Sequence, residues 1–365
     1  MRLLHLADLH LDRAFGGMAF TGCDGSRRRA LLRRALEWAV DTAEAGKADA
    51  VTIGGDLFEL EHITSDTLAF ITRQLGRLSC PVIIASGNHD PSSAASPYRV
   101  AAWPANVILC LDARPTTVDL KDALVVGLGY TGKDMDRAVL ERIPARGAES
   151  RPRLLLVHGV DLDATGDEFQ WGGLTLRHGD LDRIGIDHAL LGHVHAGQVG
   201  ARSSWPGSPV PLDPGETRGL HGAAWVEVTG GIVTAAPVAA ELARFETISV
   251  EVTELSDSTE LTTAVGAALE PLQGTPSLVV CRLFGRRSKS LEIKPDALAA
   301  ACCDGVLGLT VADVTDAELD LLELAREPTA RGAALRHLLE DGTAPALLAA
   351  RLVAEAFAGE LEVPA

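Results

Sequence analysis

The stretch ADAVTIGGD (residues 48–56) decides the fold class, because it joins a short apolar run directly to two glycines and an acid. Four other stretches have the same layout: RLLHLADLH (2–10), PVIIASGNHD (81–90), RLLLVHG (153–159) and HALLGHVH (188–195). Near-continuous apolar strands are typical of a sheet that is covered on both faces. The five runs therefore predict buried strands that each end in polar residues.

Helical spacing lies between the first three runs. Apolar residues repeat at helix period from Leu31 to Val40, and Gly46 is a C-terminal stop signal. A second helix is predicted from Thr64 to about Leu78, before Pro81. Strand–helix–strand alternation indicates βαβ units with parallel strands, so the fold class is α/β.

Functional groups of such sheets collect beyond the carboxyl ends of the strands. We therefore expect the five polar endings to converge on one edge. Asp8 and His10 lie two residues apart at a strand end, which predicts that both side chains project to one side. The predicted metal ligands are Asp8, His10, Asp56, Asn88, His158, His193 and His195.

These seven donors are oxygen or nitrogen and include no thiolate. Such a set suits a harder divalent ion, with Mn²⁺ preferred and Fe²⁺ or Zn²⁺ as alternatives. Seven ligands are too many for one small cation with open positions, but they fit two ions if one carboxylate bridges them. Each residue also has an ordinary interpretation: Asp8 as a turn acid, Asn88 as an Asx-turn, Asp56 as a helix cap. Those interpretations do not explain ligand types at five separate strand ends.

Composition sets broader limits. The 365 residues are 47% hydrophobic, enough for a large core and more than one domain. No apolar stretch approaches the roughly 20 residues of a membrane helix, and the N-terminal residues do not fit a signal sequence. Six cysteines without CxxC spacing favour a reducing, cytoplasmic setting. The net charge of −17 argues against a generally basic nucleic-acid binder but permits a local basic patch.

The motifs together resemble the calcineurin-like metallophosphoesterase superfamily, whose signature is D-x-H, G-D, G-N-H-[DE], H and G-H-x-H. All five blocks occur in order within about the first 200 residues. The resemblance implies a double β-sheet sandwich flanked by helices. It also implies one metal ion held by Asp8, His10, Asp56 and His195, and a second held by Asp56, Asn88, His158 and His193.

The same resemblance assigns catalytic roles beside the ligands. His89 is the candidate that protonates the leaving oxygen, and Asp90 is expected to hold its ring and stabilise the imidazolium. The alternative is that His89 is a structural residue.

Several stretches are similar to the DNA-repair exonuclease branch, typified by the SbcD nuclease: ADLHLD, GGDLFE, GNHD and WPGSPVPLDPGETRGLHGAAWVEV (205–228). A later segment ending in CRLFGRRS is similar to the branch's DNA-capping domain. One position departs from the pattern. Several nucleases of this branch have a histidine three residues after the G-D aspartate, where this chain has Glu59.

Changes along the chain in the predicted secondary structure and in the spacing of apolar residues predict three regions. Residues 1–240 form the metallophosphoesterase domain, 241–310 a smaller α+β capping domain, and 311–365 a helical C-terminal region. The last region has 11 acidic and 4 basic residues, so we expect it to avoid DNA. The resemblance implies that it docks on an SbcC-like ATPase of the SMC family of ABC ATPases. A helical lid on its own core is the alternative, and a homodimer also stays open.

Two basic clusters are candidates for phosphate contacts. One is RLFGRRSKSLEIK (282–294), and the other opens the first helix. The predicted DNA-binding residues are Arg27, Arg28, Arg286, Arg287 and Lys289. The alternative for either cluster is a solvated face.

The leading hypothesis is a Mn²⁺-dependent DNA nuclease that acts with the ATPase partner. The first alternative is a phosphodiesterase for nucleotides or other small molecules. A scaffold without catalysis is disfavoured, because every ligand and His89 are present.

Overall fold

The computed structural model describes residues 1–17, 19–130, 132, 135, 137–165, 174–317 and 320–358. Within these residues the strands are β1 (Arg2–Leu6), β2 (Ala50–Gly54), β3 (Val82–Ala85), β4 (Val107–Cys110), β5 (Thr116–Asp119), β6 (Leu124–Gly127), β7 (Arg153–Asp161), β8 (Leu174–Leu176), β9 (His188–Gly192), β10 (Gln198–Val199), β11 (Ser203–Trp205), β12 (Gly222–Thr229), β13 (Ile232–Ala239), β14 (Arg244–Glu251), β15 (Ser277–Phe284), β16 (Arg286–Arg287), β17 (Gly308–Asp313) and β18 (Asp316–Ala317).

The helices in the same residues are α1 (Gly25–Ala45), α2 (Ser65–Leu75), α3 (Pro97–Val100), α4 (Leu162–Thr165), α5 (His178–Ile184), α6 (Ser258–Leu269), α7 (Pro295–Cys302), α8 (Leu321–Ala325), α9 (Ala330–Asp341) and α10 (Ala344–Ala358). Two 3₁₀ helices occupy Arg137–Arg142 and Glu270–Leu272.

Two large sheets form the first part of the chain. The first has the order β13-β12-β1-β2-β3-β4, with β1 to β4 parallel and β12 antiparallel to both β1 and β13. The second has the order β10-β11-β9-β7-β6-β5, and β8 pairs with β7. The five apolar runs are thus divided between two sheets. The expectation of one sheet edge is wrong: β1, β2 and β3 belong to the first sheet, whereas β7 and β9 belong to the second.

Each sheet is covered on both faces. One layer of core residues lies between the sheets and includes Leu3, Ile83, Val125, Leu154 and Leu190. A second layer packs α1 and α2 on the outside of the first sheet, and a third covers the outside of the second sheet. The α/β double-sheet sandwich flanked by helices is therefore confirmed.

The helix boundaries follow local signals. Asp24 caps α1 by accepting the Arg27 N–H at 2.8 Å, and Gly46 ends the helix. Thr64 caps α2 by accepting the Thr67 N–H at 3.1 Å. Both helices begin and end close to the predicted positions, because caps and apolar period are properties of the local sequence.

The chain divides into two compact units. One comprises Met1–Thr247, Leu272–Val280 and Cys303–Thr310, and the other comprises Ile248–Pro271, Cys281–Cys302 and the described residues of Val311–Ala365. Strands β14, β15 and β17 form a three-stranded sheet, and β16 pairs with β18. The predicted helical character of 311–365 is confirmed from α8 to α10, but the start of that region is wrong, because β17 and β18 extend to Ala317. Residues 318, 319 and 359–365 lie outside the described residues. The three helices of this region share a small core around Leu335, Ala350 and Ala354.

None of the helices in the described part of the chain is both long and apolar enough to cross a membrane.

Candidate metal centre

The predicted ligands meet where strand ends of the two sheets come together. Glycines permit this approach: a Cβ on Gly54 would lie 3.0 Å from the Gly192 nitrogen, and one on Gly55 would lie 2.6 Å from His158 Nδ1. Gly54 ends β2 and Gly192 ends β9, so the glycines let the two sheets touch at this point.

The backbone at the ligands is unusual. Strand β1 ends at Leu6, so Asp8 and His10 follow the strand instead of continuing it. Both are left-handed, with φ of 55° and 46°, and Asp56 and His193 have φ of 52° and 95°. The explanation of Asp8 and His10 by strand alternation is therefore wrong. Left-handed non-glycine residues are strained and are held by surrounding structure, a feature concentrated at functional sites.

One group of donors surrounds His10 and His195. Their Nε2 atoms lie 3.1 Å apart, and His10 Nε2 lies 3.6 Å from Asp56 Oδ2. The Asp8 carboxylate is part of the same group and accepts the His193 N–H at 3.0 Å. Asp8, His10 and Asp56 are buried, and His195 is partly buried.

A second group surrounds His158 and His193. His158 Nε2 lies 2.8 Å from Asn88 Oδ1, 3.1 Å from His193 Nδ1 and 3.3 Å from Asp56 Oδ2. Asn88 Oδ1 lies 3.0 Å from His193 Nδ1. Asp56 Oδ2 thus lies between the two groups, as a bridging carboxylate requires.

The donor set fits cations. His10 Nδ1 lies 2.9 Å from Glu59, and His195 Nδ1 lies 2.8 Å from Glu216. A carboxylate can only accept, so each Nδ1 carries a proton, and in the neutral imidazoles that ligate metal ions the two Nε2 lone pairs face each other. Two facing lone pairs repel unless a cation lies between them. All seven predicted ligands are therefore brought together in an arrangement that suits bound metal ions.

Electrostatics at the second group also favour positive charge. Burial acts to lower the pKa of His158, but the charge of Asp56, the contact with its carboxylate and the charge of Asp8 together outweigh burial and raise that pKa to about 9. Burial likewise acts to raise the pKa of Asp56, yet the neighbouring His158 and His10 hold it well below the usual range. His193 differs, because burial and the nearby His158 lower its pKa to about 4. Metal ligands must be deprotonated, and a low pKa supplies a neutral imidazole.

His89 lies beside this centre with its side chain 37% exposed. Its Nδ1 lies 2.7 Å from Glu59 Oε2, while Glu59 Oε1 holds His10 Nδ1. The hydrogen bond to Glu59 raises the pKa of His89 above its ordinary value. Arg13 Nη1 lies 3.3 Å from Glu59 Oε1. Glu59 is therefore the residue that orients His89.

Asp90 does not have the expected position. It is fully buried and accepts the Leu57 N–H and the Tyr98 hydroxyl, both at 2.6 Å. It also accepts the Gly87 N–H at 2.5 Å. Burial and the charge of Asp56 raise its pKa to about 6. Asp90 shapes the loop that carries Asn88, whereas the ring of His89 is held by Glu59, so the predicted contact is corrected.

Sequence reasoning missed two carboxylates behind the ligands. Glu59 stood out only as the replacement for a histidine of related nucleases. No sequence pattern pointed to Glu216, because it lies in a loop 21 residues from His195. Glu216 also accepts the Leu212 N–H at 2.7 Å. Burial acts to raise the pKa of Glu216, but the hydrogen bond from His195 lowers it overall.

The predicted DNA-binding residues lie in different surroundings. Arg28 is buried, stacks 3.8 Å over the Phe15 ring and donates to the Leu212 carbonyl at 2.7 Å, so it is corrected to a structural residue. Arg27 is exposed and donates to the Gly22 carbonyl. In the other compact unit Arg286 is exposed, Arg287 pairs with Asp313 at 3.0 Å, and Lys289 pairs with Glu323.

Comparison with known proteins agrees with this geometry. The family model described as calcineurin-like phosphoesterase matches residues 1–197, which include all the predicted metal ligands. The chain is 26% identical to the uncharacterized metallophosphoesterase YhaO of Bacillus subtilis over 302 residues, covering 78% of this chain and 71% of YhaO.

The chain is also similar to two further proteins, one named as a DNA repair protein and the other as part of a nuclease. The DNA double-strand break repair protein Mre11 of Aeropyrum pernix is 27% identical over 237 residues, covering 58% of this chain and 54% of that protein. One component of the nuclease SbcCD of Escherichia coli is 28% identical over 102 residues, covering 27% of this chain and 24% of that component. The chain thus matches only part of each of these two proteins.

Proposed function

Because the chain belongs to the calcineurin-like phosphoesterase family, we propose that this metallophosphoesterase hydrolyses phosphodiester bonds of DNA with two divalent metal ions. Mn²⁺ suits the donor set, with Fe²⁺ and Zn²⁺ as alternatives. The observation that carries the proposal is the position of Asp56 Oδ2, 3.6 Å from His10 Nε2 and 3.3 Å from His158 Nε2. One carboxylate can then belong to both metal positions.

Different residues of the chain have different roles in the proposed reaction. Asp8, His10, Asp56 and His195 hold one metal ion, and Asp56, Asn88, His158 and His193 hold the other. When bound, the two ions neutralise phosphate charge and lower the pKa of a water molecule. His89 donates the proton that the leaving oxygen needs, with its Nδ1 held by Glu59 and its Nε2 directed away from that bond.

The choice of DNA rests on two supports. The Mre11 and SbcCD relatives are a break-repair protein and a nuclease by their names. The exposed Arg27 and Arg286 are available as phosphate contacts. Repair of DNA by an exonuclease or endonuclease activity is the proposed role.

The proposed partner is an SbcC-like ATPase of the SMC family. Helices α8 and α10 expose apolar side chains that their own core leaves uncovered: Leu322 at 68%, Leu348 at 60% and Phe357 at 59%. Exposed apolar groups on a helical surface suit a partner helix. A homodimer would use the same kind of surface.

The proposed domain division keeps 1–240 as the metallophosphoesterase domain, 241–310 as the capping domain and 311–365 as the docking region. The proposed location is the cytoplasm. All six cysteines lie in the described part of the chain and none of them is in a disulfide there, which suits a reducing compartment.

A small-molecule phosphodiesterase is the second candidate. Arg28 is buried, and Arg287 and Lys289 each have an acidic neighbour, so the basic surface is smaller than its sequence indicates. This observation favours a substrate that does not extend beyond the metal centre.

Titration of Mn²⁺ with blunt duplex DNA and with a small bis-aryl phosphodiester, side by side, tests the proposal. We expect Mn²⁺-dependent cleavage of both substrates. Cleavage of the diester without any cleavage of DNA would favour the second candidate, and no Mn²⁺-dependent cleavage of either would contradict both.

A further inference from the structure

The two metal positions differ in what lies behind their histidines. Both histidines of the position formed by Asp8, His10, Asp56 and His195 are held at Nδ1 by carboxylates: Glu59 at 2.9 Å and Glu216 at 2.8 Å. We call this the carboxylate-backed position.

The position formed by Asp56, Asn88, His158 and His193 has different support. His158 Nδ1 donates to the neutral carbonyl of Gly54 at 2.9 Å, and His193 directs its Nδ1 toward Asn88 and His158. We call this the carbonyl-backed position. Asn88 is a neutral ligand, whereas the corresponding place in the first position belongs to the ionisable Asp8.

A carboxylate behind a ligand histidine fixes its tautomer and ring orientation and raises the basicity of the ligating nitrogen. It also adds negative charge close to the cation. The carboxylate-backed position thus has four carboxylates that either ligate the ion or hold a ligand: Asp8, Asp56, Glu59 and Glu216. The carbonyl-backed position shares Asp56, and Asp8 also accepts the backbone N–H of its ligand His193 at 3.0 Å. Among the ligand histidines, Glu59 and Glu216 hold only the rings of His10 and His195, which belong to the carboxylate-backed position. Arg13 offsets part of the Glu59 charge, at 3.3 Å, but not that of Glu216.

We propose that Glu59 and Glu216 are positioning residues that make the carboxylate-backed position the high-affinity metal site, filled first, while the carbonyl-backed position binds its ion more weakly. This inference rests on the proposed function for the identity of the ligands. It implies that the chain passes through a form with one bound ion, and that the second ion responds to the available metal concentration.

Isothermal titration of Mn²⁺ into the metal-free full chain tests the proposal without measuring activity. We expect two separate binding steps in the wild type. Glu216→Gln and Glu59→Gln keep a hydrogen-bond acceptor of the same size but remove the charge. Each should weaken the tighter step about 10–100-fold, the usual effect of losing such a partner.

Asn88→Ala is the matched control in the other position. It should weaken or remove the weaker step and leave the tighter step unchanged, because Asn88 belongs to the carbonyl-backed position. Far-UV circular dichroism checks that each variant is folded, and Glu59→Gln carries the test if Glu216→Gln does not fold.

Two wild-type steps of equal affinity would overturn the proposal, as would glutamine variants that retain the tighter step or an Asn88→Ala variant that loses it. The proposed function fails separately. A chain that binds two ions unequally but cleaves neither DNA nor the diester would retain this inference and contradict the phosphodiesterase assignment.

Discussion

Asp56 is held by its backbone as well as by its carboxylate. Its N–H donates to Asp90 at 3.2 Å, its carbonyl accepts the His10 N–H at 2.9 Å, and its Oδ1 accepts the His89 N–H at 2.8 Å. One carboxylate oxygen therefore orders the loop of His89 while the other faces both groups of histidines. The left-handed φ of 52° is compatible with this arrangement because Asp and Asn tolerate that region better than other side chains.

Asp56→Asn should keep the backbone conformation but weaken both metal positions, because the shared negative charge is lost. Metal analysis of the purified variant after dialysis against Mn²⁺ measures the bound ions directly. Retention of two ions with wild-type affinity would remove the bridging role of Asp56.

His89→Ala should lower turnover of DNA by roughly 10²–10⁴-fold, the usual contribution of a general acid. The loss should be smaller for a nitrophenyl diester, whose leaving group does not need a proton. An equal loss on both substrates would show that His89 acts in another way.

The raised pKa of His89 predicts a pH dependence. The imidazolium is the acid, so DNA cleavage should fall as pH rises through a pKa above the ordinary histidine value. Glu59→Gln removes the carboxylate that raises this pKa, so the fall should move to lower pH. A pH profile of kcat at saturating Mn²⁺ measures the shift, and an unmoved profile would argue against His89 as the titrating acid.

At the scale of elements, the ends of β2 and β9 must approach closely. A Cβ on Gly192 would lie 2.9 Å from Ala7 Cβ and would also clash with the Gly54 carbonyl. Gly192→Ala should therefore destabilise the chain by about 1–3 kcal/mol, the usual cost of overpacking.

Gly179→Ala is the matched control, since Gly179 lies in α5 with open space around the added methyl group. Alanine in a helix should be neutral or stabilising by up to about 1 kcal/mol. Urea unfolding of both variants compares the two effects. Equal stability of Gly192→Ala and wild type would show that the strand ends can separate without cost.

Two buried histidines on β1 and β9 predict acid sensitivity. His5 Nε2 donates to the Leu191 carbonyl at 3.0 Å, and its Nδ1 lies 3.0 Å from the Thr52 hydroxyl. His188 Nδ1 donates to the Ala201 carbonyl at 3.2 Å, and its Nε2 lies 2.9 Å from the Ser204 hydroxyl. Burial lowers the pKa of each to about 4. Their neutral forms stabilise the fold fully above the unfolded pKa of about 6.5, and this contribution is lost as pH falls toward 4.

His188→Gln should make stability less dependent on pH between about 6.5 and 4, by about 1.4 kcal/mol per pH unit. The exposed His337→Gln serves as control. The free energy of unfolding, measured in urea at several pH values, gives the slope. An unchanged slope for His188→Gln would contradict burial of a neutral histidine.

At the scale of the whole molecule, binding of DNA rather than of a small diester depends on exposed basic side chains that contact phosphates. Arg286→Ala should reduce the log–log salt dependence of duplex DNA binding by about 0.9, the effect of one lost phosphate contact. Lys289→Ala should have a smaller effect, because Glu323 already competes for that charge. Binding isotherms at several salt concentrations measure the slope. Wild-type slopes for both variants would favour the small-molecule phosphodiesterase.

The sequence by itself determined the α/β fold class, and it supplied the set of ligands that the proposed function uses. Each ligand directly follows or ends an apolar run, so the strand and its polar ending are encoded within a few residues. Helix α1 was also predicted from the sequence, because the apolar period from Leu31 to Val40 and the stop at Gly46 are local signals. A local sequence pattern predicts the structure correctly when the tertiary fold buries its apolar residues and caps the helix at the predicted end.

Only the tertiary structure decided which sheet each run joins and which groups stand behind the ligands. Glu59 meets His89 across 30 residues and Glu216 meets His195 across 21, distances over which no periodicity operates. The burial of Arg28 against Phe15 likewise depends on packing rather than on charge pattern. Side-chain contacts between distant segments depend on the tertiary fold of the whole chain, so no single stretch of sequence predicts them.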